Sequence, residues 1–185
     1  MPFTFSHPAL VLPLSYLPKK WFSMTGLIIG SLIPDFEYFI RMKIESNYSH
    51  TFSGLFWFFF PLGLFVAFLY HLYIRDALIQ NLPYFITSRL LVFKNFDWIS
   101  YCKQNLLVVV ASVFIGAISH LFWDSFTHEN GYFVSKIPIL KASILWNGFQ
   151  IPYLKIAQHG SSFVGFLVLF LLFLVQIFLP QYHQM

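Results

Sequence analysis

The chain has 185 residues, of which 58% are hydrophobic, 22% are aromatic and only 10% are charged. A surface of this composition is insoluble in water but stable in lipid, so the composition excludes an ordinary soluble domain and predicts an integral membrane protein. The formal net charge of +4 comes from lysines and arginines scattered along the chain, and their lack of a dense run argues against nucleic-acid binding.

The N-terminal part of the chain predicts a helical hairpin. An apolar patch, Ala9–Leu17, is followed by a Pro-Lys-Lys turn and by a second apolar segment, Trp21–Ile33, which is too short to span a bilayer comfortably. Gly26 and Gly30 in the second segment have the small-xxx-small spacing that permits two helices to pack closely. We therefore expect the first segment to enter the membrane and the second to return.

Three longer apolar stretches predict membrane spans. They are Phe52–Tyr73, Leu106–Trp123 and Ser161–Leu179. Arg75–Lys103 mixes charged and aromatic residues and suits helices in the plane of the interface, and Ser125–Gln158 is predicted to fold over the membrane surface. Together these segments predict an all-α fold in a single domain over residues 1–185. The predicted architecture is an integral membrane helical bundle of about four spans plus an N-terminal helical hairpin and interfacial segments.

Potential metal ligands stand four residues apart at the end of the Leu106–Trp123 span. His120, Asp124 and His128 drift by only about 40° per step around a helix, so they project from nearly one face. Ionisable residues near hydrocarbon are costly and mark functional sites, although a packed polar pair that orders the bundle would also explain His120 and Asp124. An isolated histidine such as His71 is instead expected to be an interhelical hydrogen-bond partner.

Counting how often the chain traverses the bilayer places the other candidate ligands on the same side of it. Asp35 ends the returning arm of the hairpin, His50 begins the next span, and His159 directly precedes the last span, with a serine as its N-cap. His7 joins them, beside Asp35, if the hairpin forms. The predicted metal ligands are therefore His7, Asp35, His50, His120, Asp124, His128 and His159.

The chemistry of this residue set predicts a divalent metal. Imidazole and carboxylate groups suit zinc and, as a second choice, manganese, and the single cysteine excludes a cysteine-rich site. Two metals sharing Asp124 as a bridging carboxylate would activate water and stabilise the attacking and leaving oxygens of a phosphodiester. Asp35 and Glu37 are the predicted catalytic residues, with Glu37 as a general base or as the partner of a ligand.

Several segments of the chain resemble a known family. They are the opening MPFTFSHPA and the segments GSLIPDFEYF, SHTFSG, SHLFWDSFTHENG and QHGSS. They are spread over almost the whole chain and resemble bacterial multi-pass membrane proteins of the domain of unknown function 4184 type. The resemblance implies a multi-pass protein of a bacterial membrane, and it carries no activity with it.

Two looser resemblances point to hydrolases. Pro34-Asp35, Ser49-His50 and Ser119–Asp124 are similar to motifs of bacterial inner-membrane metal-dependent hydrolases. The order of histidines and aspartates is also similar to that of zinc-dependent phospholipase C and the related single-strand nucleases, which bind clustered zinc. Those enzymes have a glutamate one helical turn after the last histidine, where this chain has Phe163. The likeness implies the inner membrane as location and a zinc-type hydrolase activity.

The resulting hypothesis is a membrane-bound metal-dependent hydrolase whose site lies at headgroup depth and acts on a lipid phosphoester. Membrane lipids are then the expected partners. The alternative is a non-enzymatic membrane protein whose His/Asp cluster is a structural or sensing metal site. A transporter is a third possibility, which the lack of an evident inverted repeat disfavours. The sequence predicts neither the orientation of the site nor the oligomeric state.

Overall fold

A computed structural model describes residues 3–18, 20–43 and 54–178, and helices dominate this part of the chain. The N-terminal helices are α1 (Pro8–Val11), α2 (Met24–Leu32) and α3 (Phe36–Arg41). The central helices are α4 (Phe60–Leu69), α5 (Arg75–Asn81), α6 (Tyr84–Leu90), α7 (Trp98–Gln104) and α8 (Leu106–Thr127). The C-terminal elements are α9 (Tyr132–Lys136), α10 (Pro138–Lys141), β1 (Ser143–Trp146), β2 (Phe149–Pro152) and α11 (Tyr153–Phe178). Short 3-10 helices cover Thr4–Ser6, Leu12–Tyr16, Ile33–Asp35 and Leu91–Phe93, and π-helical turns cover Leu55–Phe59 and Tyr70–Ile74.

Three stretches among the described residues are long and apolar enough to cross a membrane. They are Phe56–Asn81, Leu106–Lys136 and Tyr153–Val175. The first of them is continuous because one π-helical turn leads into α4 and the other joins α4 to α5 without a break. The prediction of an all-α helical membrane protein is confirmed, with the short α2 packed against α8 as an additional helix.

The last span begins earlier than the sequence predicted. α11 starts at Tyr153, directly after β2, so the expected start at Ser161 with a serine N-cap is wrong. Ser161 and Ser162 lie inside the helix, and their hydroxyls donate to the carbonyl oxygen of Gln158 at 3.2 and 2.8 Å. Such bonds to the preceding turn satisfy a serine within a helix, which is why the serine pair does not mark its beginning.

α2 and α8 cross at close range. A Cβ atom added to Gly30 would lie 2.2 Å from the carbonyl oxygen of Val113, and one added to Gly116 would lie 2.3 Å from that of Leu27. Backbone therefore meets backbone, and no larger side chain fits at either position. The close packing predicted from Gly26 and Gly30 is confirmed, and α8 supplies its own glycine to the contact.

The first arm of the N-terminal hairpin is shorter than predicted. α1 ends at Val11 and continues only as the 3-10 helix Leu12–Tyr16, where Tyr16 is 84% exposed. Pro13 lacks the backbone N–H that a longer α-helix would need here. α1 still packs against α2 and α11, so a pair of helices does form at this end of the chain.

His71 joins three elements, as the sequence predicted for an interhelical hydrogen-bond partner. Its Nε2 lies 3.0 Å from Oγ1 of Thr25 on α2, and its ring stacks on that of Trp98 with a centroid distance of 4.5 Å. Arg75, one turn later, donates to the carbonyl oxygens of Phe96 at 2.7 Å and Lys94 at 3.1 Å. These contacts hold the segment before α7 against the span.

The sequence did not predict the β-hairpin. β1 pairs antiparallel with β2, and the turn between them has positive φ angles of 48° at Asn147 and 83° at Gly148. Both values suit a type I′ turn, for which Asn-Gly is the favoured pair. The Asn-Gly pair between two apolar runs was thus the available signal.

Candidate metal centre

Two histidines and an aspartate from separate parts of the chain meet in a buried cluster. His7, His120 and Asp124 each offer a ligand atom, and these atoms lie within 4.8 Å of one another. Nε2 of His7 is 3.3 Å from Oδ1 of Asp124, and Nε2 of His120 is 3.1 Å from Oδ2 of the same carboxylate. The two imidazole rings stack with their centroids 3.8 Å apart. None of the three residues is more than 4% exposed.

The chain brings these side chains together through one helix face and one docked turn. Asp124 follows His120 by one turn of α8, so both lie on the same helix face. The N-terminal 3-10 helix packs on α11, where the backbone N–H of Phe3 donates to Oγ of Ser162 at 3.1 Å. This contact holds the N-terminal segment in place. His7 belongs to this segment and directly precedes α1.

A backbone carbonyl fixes the tautomer of His120. Its Nδ1 lies 2.7 Å from the carbonyl oxygen of Ser31 on α2. A carbonyl oxygen can only accept a hydrogen bond, so Nδ1 carries a proton, and in the neutral ring Nε2 holds the lone pair. Metal-ligating histidines commonly donate their other N–H to such an oxygen, which orients the ring. The close approach of α2 and α8 thus orients the ring of His120 within the cluster.

Asp35 adds a second buried carboxylate beside His120. Its Oδ1 lies 3.4 Å from Nε2 of His120, and its Oδ2 accepts a 2.5 Å hydrogen bond from Oγ1 of Thr4. Burial by itself would raise the pKa of Asp35, but the hydrogen bond and charge of His120, together with the Thr4 hydroxyl, hold the pKa below its usual value. Asp35 is therefore a buried anion next to the cluster.

His128 extends the cluster toward the surface. Its Nδ1 lies 3.5 Å from Oδ1 of Asp124 and 3.2 Å from the backbone carbonyl oxygen of the same residue, and its side chain is 31% exposed. On another side Trp123 shields the histidines, with its ring centroid 6.5 Å from that of His7 and its Nε1 donating to Ser161 at 3.1 Å. The more accessible side of the cluster is thus the side of His128.

The contacts divide around the carboxylate of Asp124. Oδ1 faces His7 and His128, whereas Oδ2 faces His120, which in turn contacts Asp35. Each carboxylate oxygen therefore has its own set of nitrogen neighbours. This arrangement is expected of a carboxylate whose two oxygens can serve two neighbouring cation positions.

Glu37 and His159 do not belong to the group of described ligand atoms that lie within 4.8 Å of one another. Glu37 is buried, accepts a 2.8 Å hydrogen bond from Nε of Arg41 and lines a cavity of 380 Å³ with Phe58. Its role as a general base stays a prediction. His159 lies on the exposed side of α11, and none of the described contacts joins it to the cluster. His50 lies outside the described residues.

Two residues of the site escaped the sequence interpretation. Ser31 contributes only a backbone carbonyl oxygen, which no side-chain pattern reveals, and Thr4 was not singled out from the sequence. A signal for Thr4 existed in its position one turn before His7. The contact of Ser31 depends on the glycine-mediated helix crossing, which is a tertiary feature.

The comparisons with known proteins give one match. A family model for a domain of unknown function, DUF4184, matches residues 1–180. Searches of curated proteins and of solved structures give no match. The matched range contains His7, Asp35, His120, Asp124 and His128, so the buried cluster lies within the region that defines the family. The match covers nearly the whole sequence and confirms the resemblance seen in its motifs, and the chain therefore belongs to the DUF4184 family.

Proposed function

We propose that this protein is a membrane-bound metal-dependent hydrolase that holds a divalent cation through His7, His120 and Asp124. The observation that carries the proposal is the buried cluster, whose ligand atoms lie within 4.8 Å of one another. Two imidazoles and one carboxylate are a ligand set of catalytic zinc sites. Zinc is the proposed cation, and manganese is the alternative.

The spacing of the ligand atoms supports a small cation. With metal–ligand bonds of about 2.0–2.1 Å, neighbouring ligands of a tetrahedral zinc ion lie about 3.3 Å apart. The distances here are 3.3 Å from His7 to Asp124, 3.1 Å from His120 to Asp124 and 3.4 Å from His120 to Asp35. These three pairs are thus already close to the separation that such an ion requires, and all the ligand atoms of the group lie within 4.8 Å of one another.

The charges around His120 also support a cation. Its Nε2 faces the carboxylates of both Asp35 and Asp124, while its Nδ1 proton is engaged with Ser31. In a neutral ring this geometry sets a lone pair against two buried anions, which is unfavourable where the dielectric constant is low. A divalent cation among these atoms removes the repulsion, and a proton on Nε2 would do so in metal-free protein.

The position of the cluster supports a lipid phosphoester as substrate. At 1.5 Å per residue, Asp124 lies about 5 Å and His120 about 10 Å from the end of α8 at Thr127. This depth corresponds to the boundary between the hydrocarbon and the headgroups of a bilayer. We infer a lipid substrate whose phosphoester reaches the site without leaving the membrane, in a multi-pass protein of the bacterial inner membrane.

In this proposal the chain's own residues hold and orient the reacting groups. When bound, a divalent cation supplies a Lewis acid that polarises a phosphoester and activates water. Ser31 and Thr4 keep His120 and Asp35 in position, and the partly exposed His128 lies where a substrate would enter. If a second cation is bound, the division of contacts around Asp124 assigns His7 and His128 to the side of Oδ1, and His120 and Asp35 to the side of Oδ2.

One observation favours a non-enzymatic alternative. His7, His120 and Asp124 are almost completely buried, and closed coordination is typical of structural metal sites, whereas catalytic sites keep a position open. On this alternative the metal would order the bundle or sense metal supply. The two functions differ in whether a bound metal supports turnover.

Metal analysis of the purified full-length protein tests the proposal. We expect zinc or manganese to be retained through dialysis, and His120→Ala and Asp124→Ala to lose it. His71→Ala and Asp76→Asn are matched controls, since they remove a histidine and an aspartate of the same bundle outside the cluster. A folded protein that binds no metal would refute the proposal.

A turnover assay separates the two candidate functions. The metal-loaded protein is incubated with phospholipid in mixed micelles, and release of the phosphorylated headgroup is measured. Headgroup release that is lost in Asp124→Ala supports the hydrolase. Retained metal without release of the headgroup from any lipid class tested favours the structural or sensing site.

A further inference from the structure

The β1–β2 hairpin has one face composed entirely of apolar residues. In the antiparallel register Trp146 pairs with Phe149, and Ile144 pairs with Ile151. Directly opposed residues, and residues two apart along a strand, project to the same side of a hairpin. These four side chains, Ile144, Trp146, Phe149 and Ile151, thus form a single surface, which we call the apolar face.

The apolar face is strongly exposed. Phe149 is 73% exposed, Trp146 is 64% exposed and Ile144 is 39% exposed. The opposite face is mixed, because there Leu145 pairs with Gln150 and a serine pairs with a proline. Both faces of the hairpin are exposed, and they differ in composition, since the large aromatic residues lie on the apolar face only.

The chain connectivity puts the hairpin at a membrane boundary. It lies between α8 and α11, which both belong to stretches long and apolar enough to span, and α11 begins directly after β2. A connection between consecutive spans emerges on one side of the bilayer. Deep insertion is excluded because a two-stranded hairpin has unpaired backbone groups along both edges, which hydrocarbon cannot satisfy. Tryptophan, by contrast, is enriched at the headgroup layer of membranes.

The charge around the hairpin matches a lipid surface. The sequence has no aspartate or glutamate after Glu129, whereas Lys136, Lys141 and Lys155 flank the hairpin. Lys136 and Lys141 are exposed. Lysines at this depth attract the phosphates of anionic lipids, so apolar and electrostatic contributions favour the same partner.

We propose that the apolar face inserts into the headgroup layer of the bilayer that α8 and α11 span, as a lipid-binding element. The cluster of His7, His120 and Asp124 lies near the same end of α8. The hairpin therefore borders the leaflet from which the proposed substrate would enter. The inference itself depends on the hairpin alone and holds whether or not a metal is bound.

Fluorescent labels on neighbouring residues test the insertion. In a Cys102→Ala background, Phe149→Cys and Gln150→Cys are each labelled with bimane and reconstituted in vesicles of phosphatidylcholine and phosphatidylglycerol. The two positions are adjacent and both exposed, but they lie on opposite faces. We expect a lipid carrying a nitroxide near its headgroup to quench the label at 149 severalfold more than that at 150. Aqueous iodide should show the reverse order.

A second pair of labels guards against a local disturbance of the hairpin. Ile144→Cys on the apolar face and Ser143→Cys on the opposite face should repeat the contrast between 149 and 150. Equal quenching by iodide at all four positions would overturn the proposal. The proposal would also be overturned if the labels at 144 and 149 are protected from both quenchers and Phe149→Cys forms disulfide cross-links between protein copies. That result would indicate that a second copy covers the apolar face. Metal content is measured on the same samples, so a failure here is distinct from a failure of the metal site.

Discussion

The hydroxyl of Thr4 donates a 2.5 Å hydrogen bond to Oδ2 of Asp35, although the two residues are 31 positions apart. Both are buried, with exposures of 8% and 1%. The bond ties the segment that carries His7 to the turn that follows α2, and so joins two of the three parts of the chain that form the cluster. The cluster therefore depends on docking of the N-terminal segment as well as on the ligands of α8.

Removing this hydroxyl should weaken metal binding without removing a ligand. In Thr4→Val the shape is kept but the segment that carries His7 loses its bond to Asp35. Loss of a group that orients a ligand typically lowers metal affinity about 10–100-fold. Competition with a chelator of known affinity measures the change. Thr25→Val removes a hydroxyl that contacts His71 at 3.0 Å, away from the cluster, and should leave the affinity unchanged. Equal affinity in Thr4→Val and the unmodified protein would show that the bond between Thr4 and Asp35 does not position the cluster.

The α2–α8 crossing should tolerate no added methyl group. In Gly116→Ala the new Cβ would lie 2.3 Å from the carbonyl oxygen of Leu27, so the helices must separate, at a cost of about 1–3 kcal/mol in the free energy of unfolding. Gly160→Ala is the control, since its Cβ meets nothing within 4 Å, and replacing a mid-helix glycine should stabilise by up to about 1 kcal/mol.

The rate at which Cys102 is alkylated measures the effect of both glycine substitutions. It is the only cysteine, it is 5% exposed, and burial raises the pKa of its thiol, so it should react slowly with a maleimide until the protein opens. We expect faster alkylation in Gly116→Ala and no acceleration in Gly160→Ala. Similar alkylation rates in the two variants would mean that the crossing is less tight than its geometry indicates.

The sequence predicted the membrane helices because their signals are local. Apolar length identified the spans, and the spacing of Gly26 and Gly30 identified the tight crossing, because both features follow from chain periodicity alone. The start of α11 was misplaced, since Ser161 and Ser162 look like helix caps but bond to the preceding turn. The sequence does not distinguish a serine at a helix N-cap from a serine inside a helix, and only the backbone conformation separates the two cases.

The candidate site was predictable in its ligands but not in its geometry. His120 and Asp124 share a helix face, which spacing alone reveals, and the hairpin argument brought His7 toward them. The carbonyl of Ser31 was invisible because it depends on how closely two helices approach. His159 was counted with the ligands on the assumption that it preceded a helix, whereas it lies within α11 on an exposed side.

The division of contacts around Asp124 predicts the number of metals. If Oδ1 and Oδ2 serve separate cations, the purified protein should bind about two equivalents, and Asp124→Ala should lose both. His128→Ala should lose one of them, because His128 contacts only the Oδ1 side. Equilibrium dialysis with zinc and elemental analysis give the stoichiometry. A single equivalent that survives in His128→Ala would restrict the site to His7, His120 and Asp124.

Loss of the Arg75 guanidinium should loosen the segment before α7. Arg75 donates to the carbonyl oxygens of Phe96 at 2.7 Å and Lys94 at 3.1 Å, and hydrogen bonds to charged groups are worth about 1.5–3 kcal/mol each. In Arg75→Met the segment before α7 should open more often, so trypsin should cleave after the exposed Lys94 severalfold faster, while metal content stays unchanged. Asp76→Asn is the control, since it alters the exposed partner of Arg75 and leaves both carbonyl contacts in place. Unchanged cleavage in Arg75→Met would indicate that the stacking of His71 on Trp98 holds the segment by itself.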